Sequence, residues 1–369
     1  MEIHQIPALR SPVMVIAFSG WNDAGEAATG AASHLLSSWT DLETDVVPEL
    51  IAEVDPEEFY DFQVNRPVVS IDESEIRSLT WPTTQVFGLS IPSMPRDLVI
   101  VTGVEPSMRW KSFTSDLLDL ADDLEVSLII TLGSLLADTP HTRPISVTGT
   151  GAHPSIAARL GVSVSKYEGP TGILGIIQDG CMRRGIDAIS LWAAVPHYAS
   201  NAPSPKATLA LINTLEEFLE VSIPLADLPE SADSWEQEVN DLAAEDTEVA
   251  EYVKALEESK DAAELPDGRV LILMRRLVWP APARFAVKVV IADPADIAPG
   301  KVWRAREIAD IAAPWPVDNY EGVAIEREAG GRLVAWIISD DNGAVSQRTL
   351  LLKVVIDEAR LPEKQKAPG

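Results

Sequence analysis

Cysteine is almost missing from this sequence: Cys181 stands alone among 369 residues. An internal disulfide is therefore excluded, and no set of thiolates exists to hold a metal. Long apolar runs are missing too. None approaches the roughly 18 to 20 residues that a membrane span needs, so no membrane association is expected. The opening stretch Met1 to Ser11 contains Pro7 and no apolar segment ahead of a small-residue cleavage site. No signal peptide is expected there, and the predicted location is cytoplasmic.

Positive charge is scarce in one part only. Residues 1–268 carry 14 Lys and Arg against 44 Asp and Glu, a net of −30, while residues 269–369 carry 15 against 13, a net of +2. A field as negative as the first repels phosphate backbones, which argues against nucleic acid as a partner. The abrupt change points to two segments with separate histories. A hydrophobic content of 46% with 23% charged residues places the chain in the globular range.

The standard catalytic signatures are absent as well. Ser134 lies in Leu132-Gly133-Ser134-Leu135-Leu136, which is no G-x-S-x-G elbow. There is no G-x-x-x-x-G-K-[ST] loop, and Gly149-Thr150-Gly151 lacks the third glycine of a dinucleotide fingerprint. His141, His153 and His197 have no metal-ligand spacing. No cofactor, no metal and no assignable catalytic residue follow from the sequence.

What is present is an alternation of strands and helices. Val13 to Phe18 is a continuous apolar run, as in a strand buried on both faces. Asp23 with Glu26 three residues later reads as a capping box before a small-residue helix face of Ala24, Ala27, Ala28, Ala31 and Leu35. Strands are predicted at Thr84 to Ile91, Leu98 to Val104, Ser127 to Leu132 and Ala188 to Val195. Helices are predicted at Trp110 to Leu124, Gly172 to Arg184 and from Pro205, with Ser204 as cap. This order predicts a three-layer α/β/α sandwich with a largely parallel sheet over residues 1–225. Residues 226–265 read as an acidic helical appendage of that domain, restarted near Asp246. From Pro266-Asp267-Gly268 the pattern turns to β, with strands at Val270 to Met274, Phe285 to Ile291, Val323 to Arg327, Leu333 to Ser339 and Thr349 to Ile356. Residues 361–369 form a charged tail.

Polar residues gather at the predicted strand ends, where α/β folds build sites. The candidate crevice comprises Trp21, Asn22, Asp23, Glu105, His141, Thr142, Arg143, Gly169, Thr171, Gly172, His197 and Tyr198. Each has a plainer reading. Asp23 is expected to be a helix cap before it is a catalytic carboxylate. Gly169 to Gly172 is a tight turn into a helix whose N–H groups could hold an anion. His141 with Arg143, and His197 with Tyr198, are expected to serve structural hydrogen bonding before ligand binding.

These stretches carry a resemblance. Gly20 to Gly25, Gly103 to Pro106 with Trp110, Pro140 to Pro144, Gly169 to Gly172, and Val195 to Tyr198 followed by Pro203-Ser204-Pro205 resemble the proteasome assembly chaperone 2 (PAC2) family, most closely its actinobacterial members. The resemblance covers about residues 1–265. It implies a phosphorylase/hydrolase-like α/β/α fold, homo-oligomers, and a proteasome-assembly-chaperone-like or interaction role with proteasome subunits as partners. Family chaperones often dock through a hydrophobic–Tyr–any-residue C-terminus. Lys366-Ala367-Pro368-Gly369 does not fit that pattern, so docking of that kind is not expected. The alternative is a small-molecule enzyme or sensor, ligase- or hydrolase-like, using the crevice. Residues from about 266 to 360 resemble the C-terminal part of an esterase-like phytase domain. The matching stretches are Asp318-Asn319-Tyr320-Glu321-Gly322-Val323-Ala324, Ser339-Asp340-Asp341-Asn342, and Gln347-Arg348-Thr349-Leu350-Leu351. That resemblance implies a partial, propeller-like β segment fused to the first domain. It leaves an esterase activity of this segment as a further alternative, with Glu321, Asp340 and Asp341 as cation ligands only in a complete domain.

Overall fold

The computed structural model describes residues 1–39, 46–72, 76–151, 153–219, 221–260, 262–278, 284–294, 305–311, 320–328, 330–339 and 350–362. The chain divides into two compact units, one of Met1–His141 with Ile145–Val239, the other of Thr142–Pro144 with the chain from Asn240 onward.

The first unit opens with β1 (Glu2–Ile3), β2 (Val13–Ser19), α1 (Ala27–Ser37), β3 (Glu49–Glu53) and α2 (Pro56–Phe59). A separate hairpin, β4 (Val68–Ile71) and β5 (Arg77–Thr80), precedes β6 (Thr84–Leu89), β7 (Leu98–Val104) and α3 (Trp110–Asp123). Then come β8 (Leu128–Ala137), β9 (Val147–Gly151), α4 (Pro154–Leu160), β10 (Ser163–Val164), α5 (Ile173–Arg184), β11 (Ala188–Pro196), α6 (Pro205–Leu219) and the first part of α7 (Leu228–Glu245). Nine of these strands form one sheet in the order β1-β3-β6-β7-β2-β8-β11-β9-β10.

Alternation along β2 divides its side chains between two cores. Val13, Val15 and Ala17 face α1 and α6, whereas Met14, Ile16 and Phe18 face α3 and α5. Three layers follow, as the alternation predicts. The sheet is less parallel than expected: β7, β2, β8 and β11 run parallel, but β1, β3 and β6 on one flank are antiparallel to their neighbours, and β9 is antiparallel to β11. The short link from β6 to β7 dictates this, because a parallel pair needs a long crossover. Helix α1 lies close on α6 because its face is small. A Cβ at Gly30 would sit 2.8 Å from Thr208 Oγ1.

Helix caps depart from the expected capping box. Asp23 Oδ1 accepts from Ala28 N at 2.8 Å and Thr29 N at 3.2 Å, so it does cap α1, but from beyond an intervening 3-10 turn, Ala24–Glu26. Glu26 sits at φ +51° at the start of α1 instead of completing the box. The predicted Ser204 cap of α6 is made by its backbone carbonyl, which accepts from Ala207 and Thr208 N. Its buried hydroxyl has no partner among the described residues.

Asp246 restarts the acidic helices as expected: its carboxylate accepts from Glu248 and Val249 N at the head of α8 (Thr247–Lys260). The second unit then folds as antiparallel meanders. The strands β12 (Ala262–Glu264), β13 (Val270–Val278), β14 (Arg284–Ala292) and β15 (Arg306–Ile311) form one sheet, and β16 (Tyr320–Arg327), β17 (Leu333–Ser339) and β18 (Leu350–Ile356) another. Leu271, Leu273, Val287, Ile291, Leu333 and Ile337 meet in one core between them. The predicted turn at Pro266-Asp267-Gly268 is closed by Leu265 N donating to Arg269 O at 2.7 Å, with Gly268 at φ +83°.

Candidate functional site

The carboxyl end of β2 sets the first cluster. Gly20 turns the chain at φ +139°, where a Cβ would lie 3.3 Å from the Glu105 carboxylate. Glu105 N donates to Ser19 O at 3.0 Å, which holds the ends of β2 and β7 together. The turn pushes Trp21 into solvent at 89% exposure and buries Asn22 at 5%. Ser134 N donates to Asn22 O at 2.9 Å, while the Asn22 side-chain amide has no partner among the described residues.

Asp23 is buried, and burial raises its pKa above the ordinary value, opposed by the donors Thr29 and Ala28. Ser134 Oγ lies 3.5 Å from Asp23 Oδ1 but donates to Ala24 O at 2.8 Å. The carboxylate thus holds a helix end, and the serine hydroxyl is tied to a carbonyl. Asp23→Ala is expected to lower stability by about 1 to 2 kcal/mol, because two N–H groups of α1 lose their acceptor. Chemical denaturation followed by circular dichroism reads this directly.

The glycine turn before α5 meets the same cluster. Glu105 Oε1 accepts from Ile173 N at 3.2 Å, next to the N-cap Gly172. The helix end predicted to suit an anion therefore receives a carboxylate of its own chain. Gly169 stands at φ +152°, and Tyr167 OH donates to Pro170 O at 2.7 Å. Thr171 folds over Gly175, where a Cβ would fall 2.0 Å from its Oγ1.

His141 and Tyr198 form a second cluster beyond β8 and β11. Both the backbone N and Nδ1 of His141 lie against Tyr198 OH, at 2.7 and 2.8 Å. Lys206 Nζ donates to His141 O at 2.8 Å and pairs with Glu236. His197 Nδ1 lies 3.3 Å from Asp138. Thr142 and Arg143 turn elsewhere. They belong with the second unit, where Thr142 Oγ1 donates to Glu257 and Arg143 Nη1 is 3.6 Å from the same carboxylate.

The predicted crevice residues thus fall into three groups: Trp21, Asn22, Asp23, Glu105, Gly169, Thr171 and Gly172; His141, His197 and Tyr198; and Thr142 with Arg143. A cavity of about 480 Å³ lined by Glu26, His34, Pro203, Asp227 and Ser231 contains none of them. Among the described residues no group of three or more His, Cys, Asp or Glu could hold a metal ion. No described helix is long and apolar enough to cross a membrane. Two features lie outside the sequence expectations. One is the exposed pair Leu135 and Leu136, directly after Ser134; the other is the β4–β5 hairpin with Val68, Val69, Ile71 and Leu79 exposed. A signal for the hairpin exists, since three of the four residues Val68-Val69-Ser70-Ile71 are β-branched and Asp72 follows as a turn residue. The stretches Asp318-Asn319, Asp340 to Asn342, Gln347 to Thr349 and Lys366 to Gly369 lie outside the described residues.

Fold and strand-end turns together define a layered α/β/α protein whose polar groups tie its own helix ends and whose Trp21 faces solvent. The PAC2 family model matches residues 17–243, more than half of the chain, and the chain belongs to the PAC2 family. A PAC2 family protein from Streptomyces avermitilis is 52% identical, with a TM-score of 0.60; the match covers 66% of this chain and 99% of that one. A proteasome-assembly chaperone homologue from Mycobacterium tuberculosis is 48% identical, with a TM-score of 0.59, covering 65% of this chain and 99% of that one. PbaB, an archaeal proteasome activator from Pyrococcus furiosus, is 19% identical with a TM-score of 0.51, covering 65% of this chain and 96% of that one; it shares the fold. A second model, esterase-like activity of phytase, matches residues 235–343. It starts within α7, upstream of the expected junction near residue 265. No curated protein matches the chain.

Proposed function

We propose that this chain is a proteasome-assembly-chaperone-like interaction protein, working as a homo-oligomer and docking on proteasome subunits through its surface. The observation that carries this reading is Trp21. It is 89% exposed on a turn fixed by Gly20, Glu105 and Ser134, and Leu135 and Leu136 are exposed on the strand bonded to that turn. An exposed tryptophan on a turn held by backbone hydrogen bonds is a residue type that dominates protein interfaces. The engaged states of Asp23, Glu105 and Ser134 support docking over chemistry, and likeness to the M. tuberculosis proteasome-assembly chaperone homologue supports proteasome subunits as the partner class.

Trp21→Ala is expected to leave stability within about 0.5 kcal/mol, as for an exposed position. It is expected to weaken binding to purified proteasome subunits by about 30-fold or more, the effect of removing an interface hot spot. Binding unchanged in this variant would sink the Trp21 assignment.

A second reading is kept by Asn22, whose buried amide has no partner among the described residues. A small polar ligand at the β2 turn would satisfy it. Such a ligand would raise the melting temperature of the wild type and not of Asn22→Ala.

A further inference from the structure

One face of α1 forms the long wall of a cavity. Glu26, Thr29, Gly30, Ser33, His34 and Ser37 recur at helical spacing and all line it. Its volume of about 480 Å³ lies within the roughly 300 to 1,000 Å³ usual for small-ligand sites. From Glu26 to Ser37 this face runs about 16 Å, at about 1.5 Å per residue, so the cavity is elongated. Pro203 and Leu228 supply apolar wall on the other side, from the segment before α6 and the head of α7. Asp227 and Ser231 add polar groups beside them.

Charge selects the ligand. No lysine or arginine lines the cavity among the described residues. The carboxylates of Glu26 and Asp227 both line it, and neither has a hydrogen bond or ion pair among the described residues. The hydroxyls of Ser33 and Ser231 are free in the same way. Glu26 stands at φ +51°, a conformation unfavourable for a residue with a Cβ. His34 Nε2 lies 2.9 Å from Pro224 O, which pins the segment carrying Asp227 beside His34. That anchor is about two turns of α1, about 12 Å, from Glu26. The two carboxylates therefore stand toward different ends of the cavity. With His34 they form no group that could hold a metal ion. A point cation does not satisfy both, whereas an extended organic cation does, and the acidic surroundings attract it.

We propose that this cavity binds a linear polyamine, with Glu26 accepting from the ammonium at one end and Asp227 from the ammonium at the other. An ammonium has three donors and a carboxylate is its strongest partner. The Ser33 and Ser231 hydroxyls take further N–H groups, and the methylene chain lies against Gly30, Pro203 and Leu228. The cavity contains none of the residues of the Trp21 turn. The assignment thus goes beyond the docking reading and stands or falls without it.

The test is isothermal titration of spermidine into the full chain at about 0.15 M salt, where attraction between exposed charges is screened beyond about 8 Å. Saturable binding at one site per chain is expected. Glu26→Gln and Asp227→Asn are each expected to weaken it at least about 10-fold, the loss of one charge-assisted hydrogen bond. Both residues are exposed, so circular dichroism is expected to be unchanged. Glu57→Gln, at an exposed carboxylate outside the cavity, is expected to bind like the wild type. Butylamine, with a single ammonium, is expected to bind at least about 10-fold more weakly than spermidine. No saturable binding of spermidine, or equal weakening in all three variants, overturns the site and leaves only diffuse attraction of cations to an acidic chain. A loss confined to one of the two cavity variants, or butylamine binding as tightly as spermidine, overturns the two-ended assignment.

Discussion

Gly103→Ala is expected to destabilise the protein by about 4 kcal/mol, a large share of the roughly 5 to 15 kcal/mol that holds a domain folded. Two causes act together. Gly103 sits at φ +146°, a conformation that L side chains rarely adopt. A Cβ there would also fall 2.2 Å from Thr83 O and 2.7 Å from Thr84 Cα. Both neighbours are backbone, so no side chain can swing away. The displacement would break the bond from Val104 N to Thr83 O and disturb Tyr60, whose OH meets Thr84 Oγ1 at 2.8 Å and Val104 O at 2.9 Å. Burial pushes that phenol up to about 12, so it holds its proton at neutral pH. Gly161→Ala is the control: φ is +71°, and nothing lies within 4 Å of its added Cβ. It should cost about 1 kcal/mol, the conformational part alone. Equal urea midpoints for the two variants would show that the close approach of β6 to β7 is misplaced.

Asp97→Ala is expected to cost about 3 kcal/mol. The Asp97 carboxylate is fully buried and accepts from Arg10 N at 2.7 Å, Ile91 N at 3.1 Å and the Arg10 guanidinium at 2.6 Å. Removing it strands backbone donors at the start of the sheet, at about 1 to 3 kcal/mol for each that finds no other partner. The Arg10 side chain is half exposed; solvent screens that ion pair, and the loss comes chiefly from the N–H groups. Burial pushes the carboxyl up, but the Arg10 guanidinium and the backbone donors pull it lower still, so its folded pKa lies below the ordinary 3.8. The sign follows from linkage. A depressed carboxyl contributes stability that is present above the unfolded pKa and lost as pH falls through the folded one. The stability gap between wild type and Asp97→Asn is therefore expected to be constant above about pH 5 and to shrink below pH 3.8. A gap that widens on acidification would contradict the assignment.

Much of the layered fold is legible in single segments. Val13 to Phe18 has no polar residue, as expected of a strand covered on both faces. Asp246 ends one acidic helix and caps the next, a local signal that needs no tertiary knowledge. The length of β8 was hidden. Gly133-Ser134 looks like a break, yet pairing with β11 continues to Ala137 because Gly133 leaves room for Trp192, whose ring would lie 2.6 Å from an added Cβ. The strand β15 carries no clear sequence signal, because Arg306 to Ile311 mixes charges with apolar residues, and its pairing with β14 carries a register shift.

The site was less legible because its contacts join distant positions. Glu105 reaches the head of α5 across 68 residues, and no local pattern announces that. Adjacency misled in the other direction. His141 and Arg143 are two residues apart, yet His141 faces Tyr198 and Arg143 faces Glu257. Asp23 was readable as a cap because the helix it holds begins a few residues away.

The most direct test is a titration of the full-length protein against purified, unassembled proteasome subunits, with sedimentation velocity as the readout and Trp21→Ala alongside. Saturable complex formation by the wild type, weakened about 30-fold or more in the variant, is the result predicted. The opposite result is no complex at any ratio, with a small-molecule ligand that raises the melting temperature of the wild type and not of Asn22→Ala; it would replace the docking reading with ligand binding.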